Sequence, residues 1–151
     1  MDRFVFDTTF IVKGLVEPRR KKQDKVLEQQ LKLHSKAKEY LEKVERNEIQ
    51  MIIPSVALIE TASVVSRLTN DANLSKEAVN FLWENSKEIL FDYETLDISV
   101  QTGIETKASG FDTLYIAVLK LTNAILLTDD SKLHNLAKDK SFESKLLREM
   151  I

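Results

Sequence analysis

Five carboxylates stand where apolar segments begin or end. Asp7 directly follows Phe4-Val5-Phe6, and Glu60 interrupts the apolar stretch that begins at Val56. Asp112 lies between Phe111 and the run from Leu114 to Leu119, and Asp129-Asp130 follow Ile125-Leu126-Leu127-Thr128. An ionised carboxylate in apolar surroundings needs a counter-charge or several hydrogen-bond donors. No cationic side chain adjoins Glu60 or Asp112 in sequence. Carboxylate oxygens suit Mg²⁺ or Mn²⁺, and a divalent ion can neutralise several of them together. A plainer reading stays open for each: Asp7, Asp112 and Asp130 also stand where they would cap the helices that follow, and Glu60 could face solvent. The same holds for the small hydroxyls Thr9, Ser55 and Thr128, which either tune the acids and contact phosphate or simply cap helices.

Other chemistries are poorly supplied. The chain has no cysteine, so a thiolate nucleophile and thiolate zinc sites are excluded. His34 and His134 lack the partners of a Ser-His-Asp triad and read as surface or helix-packing residues. Three glycines, at 14, 103 and 110, cannot make a phosphate-cradling loop. Trp83 and the tyrosines read as packing groups.

The elements that must position these acids follow from apolar periodicity. Short strands are predicted at 4–6, 51–53, 89–91 and 125–127, each a compact apolar run closed by a breaker or a polar residue. Between them, a helical stripe runs through Leu27, Leu31, Ala37, Tyr40, Leu41 and Val44, within a segment at about 19–46. A second helix after Pro54-Ser55 carries Val56, Ile59, Ala62, Val65 and Leu68 on its apolar side. A third, capped by Ser75, buries Ala78, Val79, Leu82 and Trp83. Residues 95–108 form another helix that Gly110 ends, and the next begins near Asp112. The tail from Phe142 reads as either a last helix or a short edge strand. Strands joined by helical crossovers give an α/β fold with a mostly parallel central sheet flanked by helices. In such folds chemistry sits beyond the carboxyl ends of the strands, where Asp7 and Asp129-Asp130 fall. At 151 residues the chain makes one domain, 1–151.

Taken in order, Asp7-Thr8-Thr9, the Pro54-Ser55 helix with Glu60, Asp112-Thr113-Leu114, and Thr128-Asp129-Asp130 before Leu133 resemble the PIN-domain ribonucleases, most of all the VapC toxins of prokaryotic toxin–antitoxin pairs. The resemblance runs from about Asp2 to Ala137. It implies a PIN-like three-layer fold in which Asp7, Glu60, Asp112 and Asp130 bind Mg²⁺ or Mn²⁺, with Asp129 either a further ligand or a supporting group and Thr9, Ser55 and Thr128 as auxiliary groups. It implies hydrolysis of RNA phosphodiester bonds, for which paired divalent ions activate water and stabilise the leaving oxygen. The partners implied are an RNA substrate, a second copy of the chain and a cognate antitoxin. The same carboxylates would equally serve an RNA-processing or decay nuclease without an antitoxin, and a non-catalytic binding or structural protein is the reading in which the acids only cap helices. Two features depart from the family pattern: a longer basic segment at 17–46, and a charged, helical-looking tail in place of a short last strand.

Charge bears on the partner. The net charge is −2, which excludes a uniformly basic surface, yet residues 13–46 hold 11 Lys/Arg against 6 Asp/Glu, a net of +5. Such a patch beside acidic surroundings can guide a polyanion toward a carboxylate site, or it can be a solvated helix face. The stripe at 24–45, with Val64, Leu68, Val79 and Leu82, is the expected two-fold interface, and the surface near Leu27 and Leu31 is the expected seat for an antitoxin segment. With no apolar run long enough for a membrane span and no secretory signal pattern, a cytoplasmic setting is expected.

Overall fold

Alternation along three apolar strands divides the core in two. Phe4, Phe6, Met51, Ile53 and Leu127 point to one face of the sheet, and Val5, Ile52 and Leu126 to the other. Runs buried on both faces are what a covered parallel sheet requires. The computed structural model describes all residues from Met1 to Ile151. The strands are β1 (Arg3–Phe6), β2 (Gln50–Pro54), β3 (Ser86–Leu90), β4 (Ile125–Thr128) and β5 (Ser144–Leu146), in the order β3-β2-β1-β4-β5. Every neighbouring pair is parallel. The α/β reading is therefore right, with a fifth strand beyond the four predicted.

The helices are α1 (Thr8–Leu15), α2 (Lys25–Glu45), α3 (Val56–Thr69), α4 (Ala72–Asn85), α5 (Asp92–Thr106), α6 (Gly110–Thr122) and α7 (Ser131–Asp139). On one face α1 and α2 pack through Phe10, Ile11, Leu33, Ala37, Leu41 and Val44, joined by Leu82 of α4. Phe10 and Tyr40 meet edge-on at 5.8 Å, and Phe4 meets the same tyrosine at 5.8 Å. On the other face α6 and α7 contribute Tyr115, Ile116, Leu119, Leu133 and Ala137. The close approach of α1 to α2 depends on Gly14: a Cβ there would lie 2.6 Å from Leu41 Cδ1 and 3.0 Å from the Ala37 carbonyl carbon.

Several boundaries and burial assignments differ from the sequence reading. The helical segment begins at Lys25 rather than near 19, because Asp24 caps it by accepting from the Leu27 amide, and Arg20 grips the Asp24 carboxylate. Within α2, Leu33 is buried and Leu31 is exposed. In α3 the buried residues are Val56, Ala57, Thr61 and Val65, while Ile59 and Leu68 face outward. Period alone leaves that choice open; the crossing with neighbouring helices makes it. Asp71, not Ser75, caps α4; Ser75 is buried and its hydroxyl pairs with Ser66. Trp83 is exposed. β3 starts three residues earlier than expected, and Gly110 opens α6 rather than ending the helix before it, which stops at Thr106. The tail resolves into β5, parallel to β4, then a 3₁₀ turn at Leu147–Glu149 that buries Leu147. His134 is buried and its Nδ1 lies 2.6 Å from the Ser144 hydroxyl, tying α7 to β5.

Candidate functional site

β1 occupies the middle of the sheet, where the chain turns to one side for β2 and to the other for β4. Crevices open at such a reversal, beyond the carboxyl ends of the strands. The Asp7 amide donates to the Leu127 carbonyl at 2.9 Å, which sets the end of β1 beside the end of β4. Asp7, Glu60, Asp112, Asp129 and Asp130 all line one cleft of about 650 Å³ at this place.

Each of three acids is held by one oxygen. Asp7 is 5% exposed and occupies the cap position of α1, yet its side chain makes no capping bond. Instead its Oδ2 accepts from the hydroxyls of Thr9 at 2.6 Å and Thr128 at 2.7 Å. Those hydroxyls accept in turn from the Asp129 and Asp130 amides at 2.9 and 3.0 Å, so their protons are directed at Asp7. Glu60 Oε1 lies 3.1 Å from the donating Thr8 hydroxyl and 3.4 Å from that of Tyr115. Asp130 Oδ1 accepts from the Lys132 and Leu133 amides and caps α7. The capping reading of Asp130 is thus correct for one oxygen and leaves the second unengaged by the protein. Asp112 lies in the first turn of α6, whose cap position belongs to Ser109, so Asp112 is no cap.

The electrostatics are those of like charges held together. Burial pushes the Asp7 carboxyl above its ordinary value; the Thr128 and Thr9 hydroxyls pull it back, and Asp130 adds an upward push. Glu60 is raised by burial, and further by Asp7 and Asp112, against the Thr8 and Tyr115 hydroxyls. Asp112 is raised by burial and by Asp130, with Lys132 opposing. No Lys, Arg or His forms an ion pair with Asp7, Glu60, Asp112 or Asp130. Asp129 differs: Arg148 donates to its carbonyl at 2.7 Å and lies 3.5 Å from its Oδ1.

The cleft therefore unites all five acids with Thr9, while Thr128 stands behind Asp7 and Ser55 does not line the cleft. Ser55 sits at the start of α3 without a side-chain capping bond. Three contributors went unrecognised in the sequence. Thr8 reads as a helix-start residue, and Tyr115 as part of the apolar α6 stripe. The available signal was spacing, since Tyr115 lies three residues after Asp112 and shares its helix face. Arg148 was hidden by its place in the tail.

No three of these groups form a ready-made ligand set. The donors nonetheless fit a hard divalent cation: all are carboxylate oxygens, Asp7, Glu60, Asp112 and Asp130 each keep at least one oxygen the protein does not tether, and no cationic side chain forms an ion pair with those four.

The chain matches the PIN domain over residues 4–139. A sequence comparison with curated proteins gives no match. In fold it is similar to a chain of VapBC2 from Rickettsia felis, solved bound to a DNA fragment from the promoter, with a TM-score of 0.65 at 14% identity over 95% of this chain and 98% of that one. It is also similar to a domain of a functionally unknown protein from Methanocaldococcus jannaschii DSM 2661, with a TM-score of 0.51 at 18% identity over 97% of this chain and 91% of that one. Fold, order of acids and a match spanning nearly the whole sequence agree: the chain belongs to the PIN-domain family.

Proposed function

We propose that this protein is a divalent-metal-dependent endoribonuclease of the VapC toxin type. The observation that carries the reading is the convergence of Asp7, Glu60, Asp112 and Asp130 on one cleft with no cationic side chain paired to any of them. Those four side chains would hold Mg²⁺ or Mn²⁺, which supplies an activated water and charge stabilisation at the attacked phosphate. The protein contributes orientation. Thr9 and Thr128 fix Asp7, Thr8 and Tyr115 fix Glu60, and the α7 amides fix Asp130. Asp129, already engaged by Arg148, serves to hold the loop after β4.

A second copy and an antitoxin complete the proposal. The fold likeness to a chain of VapBC2 supports an antitoxin partner. For the dimer, the interface expected from sequence needs revision: Leu82 is fully buried and Leu27 nearly so. α5 instead exposes Tyr93, Leu96, Val100 and Ile104 at helical spacing, four large apolar side chains where no other helix exposes more than two. An apolar stripe of that kind marks a contact surface, and two-fold symmetry would set it against its own copy.

The test is cleavage of RNA by the purified protein with Mn²⁺ or Mg²⁺, with and without chelator. Chelation should abolish cleavage. Asp7→Asn and Asp112→Asn should each lower it by about 100-fold or more, because several kcal/mol of charge stabilisation go with the ion. Full activity in both folded variants would reject the site. An antitoxin-independent processing nuclease would show the same cleavage but form no complex with the product of a neighbouring small reading frame.

A further inference from the structure

The basic segment of the sequence divides in two in the fold. In the later part of α2 and just beyond it, Lys36, Lys38, Lys43 and Arg46 pair with Glu39, Glu42 and Glu48. That half is a solvated helix face with its charge already matched. Of the cations before Ser35 in the segment, only Arg20 has a carboxylate partner, Asp24 at 2.6 Å. Lys13 and Arg19 have none, and both line the same cleft as the carboxylates.

This end of the cleft is built rather than incidental. Lys13 sits in the last turn of α1, six residues from Asp7, so helix rise alone separates them by about 9 Å. The His34 Nδ1 lies 2.7 Å from the Lys13 carbonyl, and because a carbonyl only accepts, this nitrogen carries the proton. That bond fixes the end of α1 against α2. Gly14 lets the two helices approach at the next residue. On this wall Lys13, Arg19 and Arg20 face a single lining carboxylate, Glu17.

Resting on the ribonuclease reading, we propose that Lys13 and Arg19 form a phosphate-binding subsite for the RNA strand, one or two nucleotides from the bond opposite the carboxylates. The subsite gives the strand an anchor that needs no divalent ion. It also counters the repulsion between the substrate backbone and the acidic end of the cleft. The matched cations of α2 take no part.

Binding of a fluorescent single-stranded RNA oligonucleotide, followed by anisotropy in EDTA at two salt concentrations, tests this without cleavage. Lys13→Gln/Arg19→Gln should bind about tenfold more weakly, and its log–log salt slope should be smaller by about 1.4, the value for two lost contacts on a single strand. Lys36→Gln/Lys43→Gln removes the same formal charge and should stay within about twofold of the parent under the same screening. Lys13→Arg/Arg19→Lys, which keeps both charges, should bind as the parent does. Equal weakening in both Gln pairs, or none in the Lys13/Arg19 pair, overturns the subsite, as does absence of RNA binding by the parent. Metal-dependent cleavage, assayed separately, reports on the ribonuclease reading: cleavage with unchanged KM in Lys13→Gln/Arg19→Gln removes the subsite and leaves that reading intact.

Discussion

Thr128 donates its hydroxyl proton to Asp7 across 121 residues of sequence, at 2.7 Å. The bond links the end of β4 to the end of β1 and, with the Thr9 hydroxyl, holds a buried carboxylate by one oxygen. Because both hydroxyls accept backbone amides, neither can turn its proton elsewhere without losing a bond. Asp7 is thus oriented before any ligand arrives, and its remaining charge has no partner in the chain.

Asp7→Asn should stabilise the metal-free protein at neutral pH. A buried carboxyl whose folded-state pKa is raised binds more protons folded than unfolded, so its contribution to stability falls as pH rises from the ordinary value of 3.8 through the raised one. Thermal melts in EDTA across that range should show the parent losing stability relative to Asp7→Asn as pH increases, with the two converging in acid. Saturating Mn²⁺ should reverse the order by stabilising the parent alone. A variant less stable than its parent by the same margin with and without Mn²⁺ would contradict the cluster.

Asp129→Asn and Asp130→Asn should separate cleanly. Asn caps a helix about as well as Asp, so Asp130→Asn keeps α7 while losing a charge that acts on both Asp7 and Asp112. Calorimetric titration with Mn²⁺ should show affinity reduced by about tenfold or more in that variant. Asp129→Asn, whose parent carboxylate already faces Arg148, should stay within about threefold on the same grounds. Comparable losses in the two variants would return Asp129 to the ligand set.

Tyr115→Phe removes one buried hydroxyl that accepts from the Thr8 amide at 3.2 Å and donates toward Glu60. An amide left without a partner costs about 1–3 kcal/mol. At roughly 2–4 °C per kcal/mol for a chain of this size, the melting temperature should fall by several degrees. If the hydroxyl also orients Glu60, the stabilisation conferred by Mn²⁺ should shrink as well. A lower melting temperature with an unchanged Mn²⁺ response would confine Tyr115 to a structural role.

The α5 stripe should govern assembly. Light scattering of the parent should give a species near twice 17.3 kDa that persists on dilution, and Val100→Glu should give a monomer of unchanged fold, because Val100 is 55% exposed and supports no core. Leu31→Glu, on the surface first expected to form the interface, should leave the dimer intact. Dissociation by Leu31→Glu and not by Val100→Glu would move the interface to α2.

The amino-acid sequence determined by itself the three central strands of the sheet and the order in which the acids reach its edge. Runs such as Phe4-Val5-Phe6 and Met51-Ile52-Ile53 are buried on both faces, so they are apolar throughout and stand out from the amphipathic helices around them. Asp7, Glu60, Asp112 and Asp130 were legible because a charge abutting such a run conflicts with its surroundings. The tertiary structure alone decided what satisfies them. The Thr128 and Tyr115 hydroxyls reach their carboxylates across 121 and 55 residues, and no local period encodes such a contact. The same is true of the division of the basic segment into matched and unmatched cations, and of Arg148 closing onto Asp129 from the tail. Helix faces were legible only in part. An apolar stripe defines an arc, and whether Leu31 or Leu33, Ile59 or Thr61, turns inward depends on how the neighbouring helices cross it.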